Sequence, residues 1–136
     1  MGLDVGDKRI GVALSDPGGI LASPLTIIDR RDDRLDIEAI TNIITQHQVK
    51  HIIVGLPRSM DGSIGQQAQK VQAFTQTLCQ HTDVPIEFRD ERLSTVSAKR
   101  LLQAGGNKKG NKKKRIRDDA IAAAIILQGY LDEYRD

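Results

Sequence analysis

Residues 51–56, His-Ile-Ile-Val-Gly-Leu, form an unbroken apolar run that Pro57 stops. A run this short, ended by proline, predicts a strand covered on both faces. The chain must then supply apolar helices for two sides of one sheet. Upstream, Leu35, Ile37, Ile40, Ile43 and Ile44 recur at helical spacing, from an N-cap expected at Asp33 as far as Gln48. Downstream, a polar loop, Arg58 to Gly65, leads into a second helix with Ala68, Val71, Phe74 and Leu78 at core spacing.

The period of two dominates the start. Met1 to Gly6 alternates as a short strand, Gly6-Asp7-Lys8 supplies a turn, and Arg9 to Ser15 completes a hairpin. Asp16-Pro17-Gly18-Gly19 marks another turn, and Leu25 to Ile28 a third strand with Pro24 at its entrance. Toward the other end, Pro85 to Arg89 is expected as a fifth strand and Val96 to Ala104 as a short helix capped by Ser94 or Thr95. Gly105-Gly106-Asn107 breaks that helix, a basic stretch follows, and Ala120 to Tyr134 forms the last helix. The order βββαβα followed by βαα predicts an α/β fold. Its mixed five-stranded sheet joins an antiparallel three-strand meander to two parallel strands, with helices on both faces. At 136 residues and with no linker between separate apolar cores, residues 1–136 are expected to make a single domain.

Charge distribution says more than the net charge of +2. Lys108, Lys109, Lys112, Lys113, Lys114, Arg115 and Arg117 crowd into one stretch, and local charge is what a polyanion feels. With two Phe, two Tyr and no Trp, stacking on single-stranded bases is not expected to be the main means of binding. No apolar run approaches a bilayer span and no basic-then-apolar leader opens the chain, so a soluble cytoplasmic protein with no membrane partner is expected. Cys79 is the only cysteine, which excludes an internal disulfide, and it is expected as a small apolar residue on a helix. His47, His51 and His81 share no zinc-ligand spacing.

Three acids are candidates for chemistry. Asp4 shares its strand face with Gly2 and Gly6, which leaves open space above it, although an ordinary turn-associated acid has the same neighbours. Glu91 lies just past the fifth strand, where α/β sheets commonly carry function. Asp90 is adjacent and points the opposite way by alternation, and a solvated ion-paired cluster is the plainer account of both. Asp118 and Asp119 open the last helix, where acids are favourable in any case. Helical phase separates the two: Asp119 lines up with Ala123, Ile126 and Tyr130 on the apolar stripe, Asp118 falls on its flank, and Gln128, Asp132 and Arg135 lie opposite. An inward carboxylate is costly unless a cation or donors meet it. Ala122, Ala123 and Ala124 would let that helix approach the sheet closely. Asp4, Glu91 and Asp119 together make a hard oxygen set suited to Mg²⁺ or Mn²⁺ and to phosphodiester cleavage, with the basic run placed to bring a phosphate backbone there.

Four stretches carry a resemblance: Gly2-Leu-Asp-Val-Gly-Asp-Lys-Arg-Ile-Gly-Val-Ala-Leu-Ser-Asp16, Val54-Gly-Leu-Pro-Arg-Ser-Met-Asp-Gly62, Asp90-Glu-Arg-Leu-Ser-Thr95 and Asp119-Ala-Ile-Ala-Ala-Ala-Ile-Ile-Leu127. In this order along the whole chain they resemble the YqgF (RuvX) family. The resemblance implies a ribonuclease H-like fold and a nuclease that trims the 5′ end of pre-16S rRNA, with a Holliday junction resolvase as the older view of similar proteins. By position, Asp4, Glu91 and Asp119 match the family's catalytic, metal-holding acids. Lys8, Arg9 and Arg92 lie in the same motifs and, with Lys112, Lys113, Lys114 and Arg115, are expected to contact nucleic acid. Precursor rRNA, branched DNA and the small ribosomal subunit are the partners this implies. Similar sequences carry a few more apolar residues before the first Gly, so the first strand looks clipped. Two other classes compete. Asp4-Val-Gly-Asp-Lys-Arg also resembles the phosphate-binding hairpin of actin-like ATPases and sugar kinases, but those need a second domain for which this chain is too short. A non-catalytic RNA-binding module of ribosome assembly would have no need of three placed acids.

Overall fold

The computed structural model describes residues 1–57, 64–90 and 112–134, with the backbone alone for 112–118 and 134. Strands β1 (Gly2–Val5), β2 (Arg9–Ser15), β3 (Ala22–Asp29), β4 (Ile52–Leu56) and β5 (Ile86–Asp90) alternate with helices α1 (Asp33–His47), α2 (Gln66–Cys79) and α3 (Lys112–Tyr134). The sheet order is β3-β2-β1-β4-β5. The first three strands pair antiparallel as the expected meander, and β1, β4 and β5 run parallel.

Alternation along the strands sorts side chains into two layers. Leu3 and Val5 of β1, Ile10 and Val12 of β2, and Ile52 and Val54 of β4 face α1 and α2, where they bury Ile37, Ile40, Val71, Phe74 and Leu78. Ile53 and Ala13 face the other way, against Ala123, Ala124, Ile126 and Leu127 of α3. All five residues of β4 are buried, as its unbroken apolar run requires. Among the described residues, no helix is long and apolar enough to cross a membrane.

Several boundaries differ from expectation. The N-cap of α1 is Asp32, not Asp33: its carboxylate accepts the Leu35 N–H at 2.8 Å, which leaves Asp33 as the first helical residue. Strand β3 begins at Ala22, so Pro24 lies inside it rather than at its entrance. That is tolerated because β3 is an edge strand and the ladder to β2 shifts register between Val12 and Ala13, opposite Pro24. The turn between β2 and β3 closes on Asp16, whose Oδ1 accepts N–H bonds from Leu21 (3.0 Å) and Ile20 (2.7 Å), bonds that hold its carboxyl below the ordinary value. Helix α3 already includes Lys112, so the second half of the basic stretch is helical instead of preceding the helix. The helix expected over Val96–Ala104 lies outside the described residues, as does most of the loop after Pro57.

Gln128 departs most from its expected place on the polar face of the last helix. It is buried at 5% exposure, its Oε1 accepts the Ala22 N–H at 2.8 Å, and its Nε2 donates to the Ile20 carbonyl at 2.9 Å. One side chain thus ties the start of β3 to the helix by two backbone groups. Gln128→Ala would leave the buried Ala22 N–H unsatisfied. It is expected to cost about 1–3 kcal/mol, or roughly 3–10 °C in Tm by calorimetry.

Candidate nuclease site

The hairpin register sets the position of the first acid. Asp4 on β1 is the direct cross-strand partner of Gly11 on β2. Directly opposed residues project from the same face, and at Gly11 that face meets α3. A Cβ built on Gly11 would strike the backbone carbonyl of Asp119. One turn further along α3, a Cβ on Gly2 would lie 2.7 Å from the Ala123 carbonyl oxygen and 2.8 Å from the Leu127 Cβ. Two glycines on the sheet, facing alanines on the helix, let the backbones touch. Asp4 follows Gly2 on the α3 face of β1 and stands opposite Gly11 on β2.

Asp119 completes the arrangement from the helix side. Its backbone rests on Gly11, and its carboxylate Oδ2 meets the Arg9 guanidinium at 3.5 Å, with both side chains about one-third exposed. The inward phase of Asp119 calls for a cation or hydrogen-bond donors, and the Arg9 guanidinium meets it. Arg9 and Asp4 are thus drawn to one patch by the hairpin, with Asp119 above it. The parallel strands β1, β4 and β5 end along the same edge, at Val5, Leu56 and Asp90, and Glu91 follows Asp90 in sequence. Arg89 of β5 is buried on the α3 side and pairs with Glu133 at 2.7 Å, which ties the far end of α3 to the sheet.

Among the described residues, no three acids, histidines or cysteines gather as a metal-holding set. Glu91 and Arg92 lie outside the described residues, as do the side chains of Lys112, Lys113, Lys114 and Arg115. Lys8 lies in the β1–β2 turn and is exposed. The role of Gly11 escaped the sequence reading, although hairpin arithmetic about Asp7-Lys8 pairs it with Asp4.

A mixed sheet of this order with helices on both faces defines a fold class that the comparisons bear out. Two solved structures of Thermus thermophilus RuvC match, one free and one in complex with a Holliday junction substrate. Their TM-scores are 0.59 and 0.58 at 12% and 13% identity, over 97% of this chain and 94% and 92% of theirs. The fold is therefore ribonuclease H-like, as in RuvC. The model of the RuvX family, described as a Holliday junction resolvase, matches residues 1–133, and the chain belongs to that family. Among its relatives is a protein of Dehalococcoides mccartyi, 52% identical over 95% of this chain and 94% of that one. Another, from Desulforamulus reducens, is 48% identical over 97% and 95%. Both carry the provisional name pre-16S rRNA nuclease.

Proposed function

We propose that residues 1–136 form a single-domain, divalent-metal-dependent nuclease of the cytoplasm that trims the 5′ end of pre-16S rRNA, with the small ribosomal subunit as its setting. The observation that supports this reading is the register that sets Asp4 opposite Gly11, against which the backbone of Asp119 rests with its carboxylate on Arg9. Full-length relatives at about half identity carry the corresponding name.

The donor set fits Mg²⁺ or Mn²⁺. Carboxylate oxygens are hard ligands, and Arg9 beside Asp119 stands where positive charge is wanted. Asp4, Asp119 and Glu91 would hold the ions. When bound, divalent ions supply Lewis-acid activation of water and charge neutralisation at the leaving oxygen. The protein's own part is placement. Lys8, Arg9 and Arg92 hold the phosphate backbone beside the acids. Lys112, Lys113, Lys114 and Arg115 open α3, where the positive end of the helix dipole adds to their charge, so the first turns of α3 attract a polyanion toward Asp119.

Cleavage assays with Mg²⁺ and with Mn²⁺ test the reading on precursor small-subunit rRNA, unstructured single-stranded RNA and four-way DNA junctions. Cutting of the precursor near its mature 5′ end is expected. The family description favours a second reading, and cutting of the junctions alone would establish it. Binding of RNA without cleavage under either ion would leave a ribosome-assembly module. Replacing Lys112, Lys113, Lys114 and Arg115 by Ala is expected to lower RNA affinity and to reduce the slope of log K against log salt by about 3 for four lost contacts at about 0.7 each. An unchanged slope would reduce the basic run to a solubilising feature.

A further inference from the structure

Arg30, directly after β3, lies outside the acid cluster, yet its guanidinium is engaged on every side. Its Nε donates to Asp36 Oδ2 at 2.8 Å, its Nη1 to the Gly6 carbonyl at 2.9 Å, and its Nη2 to Asp33 Oδ1 at 3.0 Å. Its flat face lies over the Phe74 ring, 4.8 Å from the centroid. Asp36 is 2% exposed, and its other oxygen accepts the Arg31 N–H at 3.1 Å. The backbone N–H of Arg30 donates to the Lys8 carbonyl at 2.9 Å. One residue therefore holds both ends of the β1–β2 turn, by side chain at Gly6 and by main chain at Lys8.

That turn leads to the candidate site. It follows Asp4 by two residues, it carries Lys8, and its closing bond runs from the Gly6 N–H to the carbonyl of Arg9, whose side chain meets Asp119. A buried Arg–Asp pair adds little net stability on its own, because desolvation offsets the attraction. What this pair does add is a fixed fork: three nitrogens bind acceptors in the β1–β2 turn and on α1, and the rigid guanidinium plane sets their relative positions. A lysine could keep the bond to Asp36, but its single nitrogen could not span the same acceptors.

We propose that Arg30 is a positioning residue of the nuclease site, which fixes the β1–β2 turn and through it the placement of Asp4, Lys8 and Arg9. The proposal rests on the nuclease reading. It acts through geometry alone, without contact to substrate, so its loss should be felt in turnover more than in binding. A misplacement of about 1 Å at reacting groups can cost about a hundredfold in rate.

The test compares four proteins: wild type, Arg30→Lys, the double variant Arg30→Met with Asp36→Leu, and Asp83→Asn as a control at an exposed acid outside the fork. The double variant replaces the buried pair by apolar side chains of similar size, a change that commonly preserves folding. Three quantities are read: Tm, amide hydrogen exchange at Gly6 without metal, and kcat and KM on precursor rRNA with Mn²⁺. The expected result for both Arg30 variants is a Tm near wild type, Gly6 exchange at least tenfold faster, and kcat reduced tenfold or more with KM within about twofold. Asp83→Asn should match wild type throughout. Wild-type Gly6 exchange, or wild-type kcat with faster exchange, would overturn the positioning role. Unfolding of both Arg30 variants would overturn it as well, by making Arg30 a stability residue. An inactive wild-type protein would instead sink the nuclease reading, and the exchange data would still decide whether Arg30 orders the turn.

Discussion

Asp4→Asn is expected to abolish cleavage while leaving the metal-free protein about as stable as wild type. Asn preserves the shape of the side chain but removes the charge a divalent ion needs, so a loss of at least about a thousandfold, or about 4 kcal/mol of transition-state stabilisation, is expected. The stability half follows from the neighbours. Asp4 lies opposite Gly11, where the backbone of Asp119 rests, and in the proposed site acids that share an ion would repel one another without it. Neutralising one relieves that repulsion. In the wild type, Mg²⁺ or Mn²⁺ at a hundred times Kd should stabilise by about 2.7 kcal/mol and raise Tm accordingly. In Asp4→Asn most of that gain should vanish. Thermal melts with and without metal, beside cleavage assays, check both halves. Full activity would remove Asp4 from the site. A strongly destabilised apo variant would make it a structural residue of the hairpin.

Gly11→Ala is expected to damage fold and activity together. Its Cβ would collide with the Asp119 carbonyl, and backbone on both sides leaves no flexible side chain to give way. Helix α3 must lift from β2 or the hairpin must bend. A cost near the top of the 1–3 kcal/mol range, roughly 10 °C in Tm, is expected, with kcat down by about a hundredfold as Asp119 moves from Asp4. Gly18→Ala is the matched control, since its Cβ would find only side-chain atoms at ordinary contact distances of 3.6 Å and beyond. Equal melting temperatures and rates for the two variants would mean that α3 does not seat on β2 at Gly11.

The sheet was legible in the sequence wherever burial imposes a period. The run at 52–56, the alternation in β1 and β2, and the spacings in α1 and α2 each reflect a face that must meet a core. Legibility failed where local pattern and tertiary neighbour disagree. Ser23, Pro24, Leu25 and Thr26 are exposed on an edge strand, so they show no alternation from which to find its start. Gln128 has the character of a surface residue, and only the start of β3 passing over it makes it a buried one. The basic run resembles a solvated loop, yet lysine and arginine are good helix formers, and the helix extends back through them. At the site, the inward phase of Asp119 was readable from the helix period, but the open space expected above Asp4 was not found, because α3 packs against Gly2 and Gly11 on that face. Arg30 was not readable, because Gly6, Asp36 and Phe74 belong to three separate segments that only the fold brings to one guanidinium.

The Arg9–Asp119 contact has a thermodynamic consequence for the proposed nuclease. Arg9 and a divalent ion would be rival partners for one carboxylate in that proposed site. An ion that takes Asp119 sets the guanidinium free on β2, beside the place where a phosphate would lie. A phosphate that draws Arg9 away leaves Asp119 with its charge unmet and ready for the ion. Each ligand thus clears an obstacle to the other, and linkage requires the two enhancements to be equal. The ion and the polynucleotide would then load cooperatively, with the arginine as the exchangeable counterion between them.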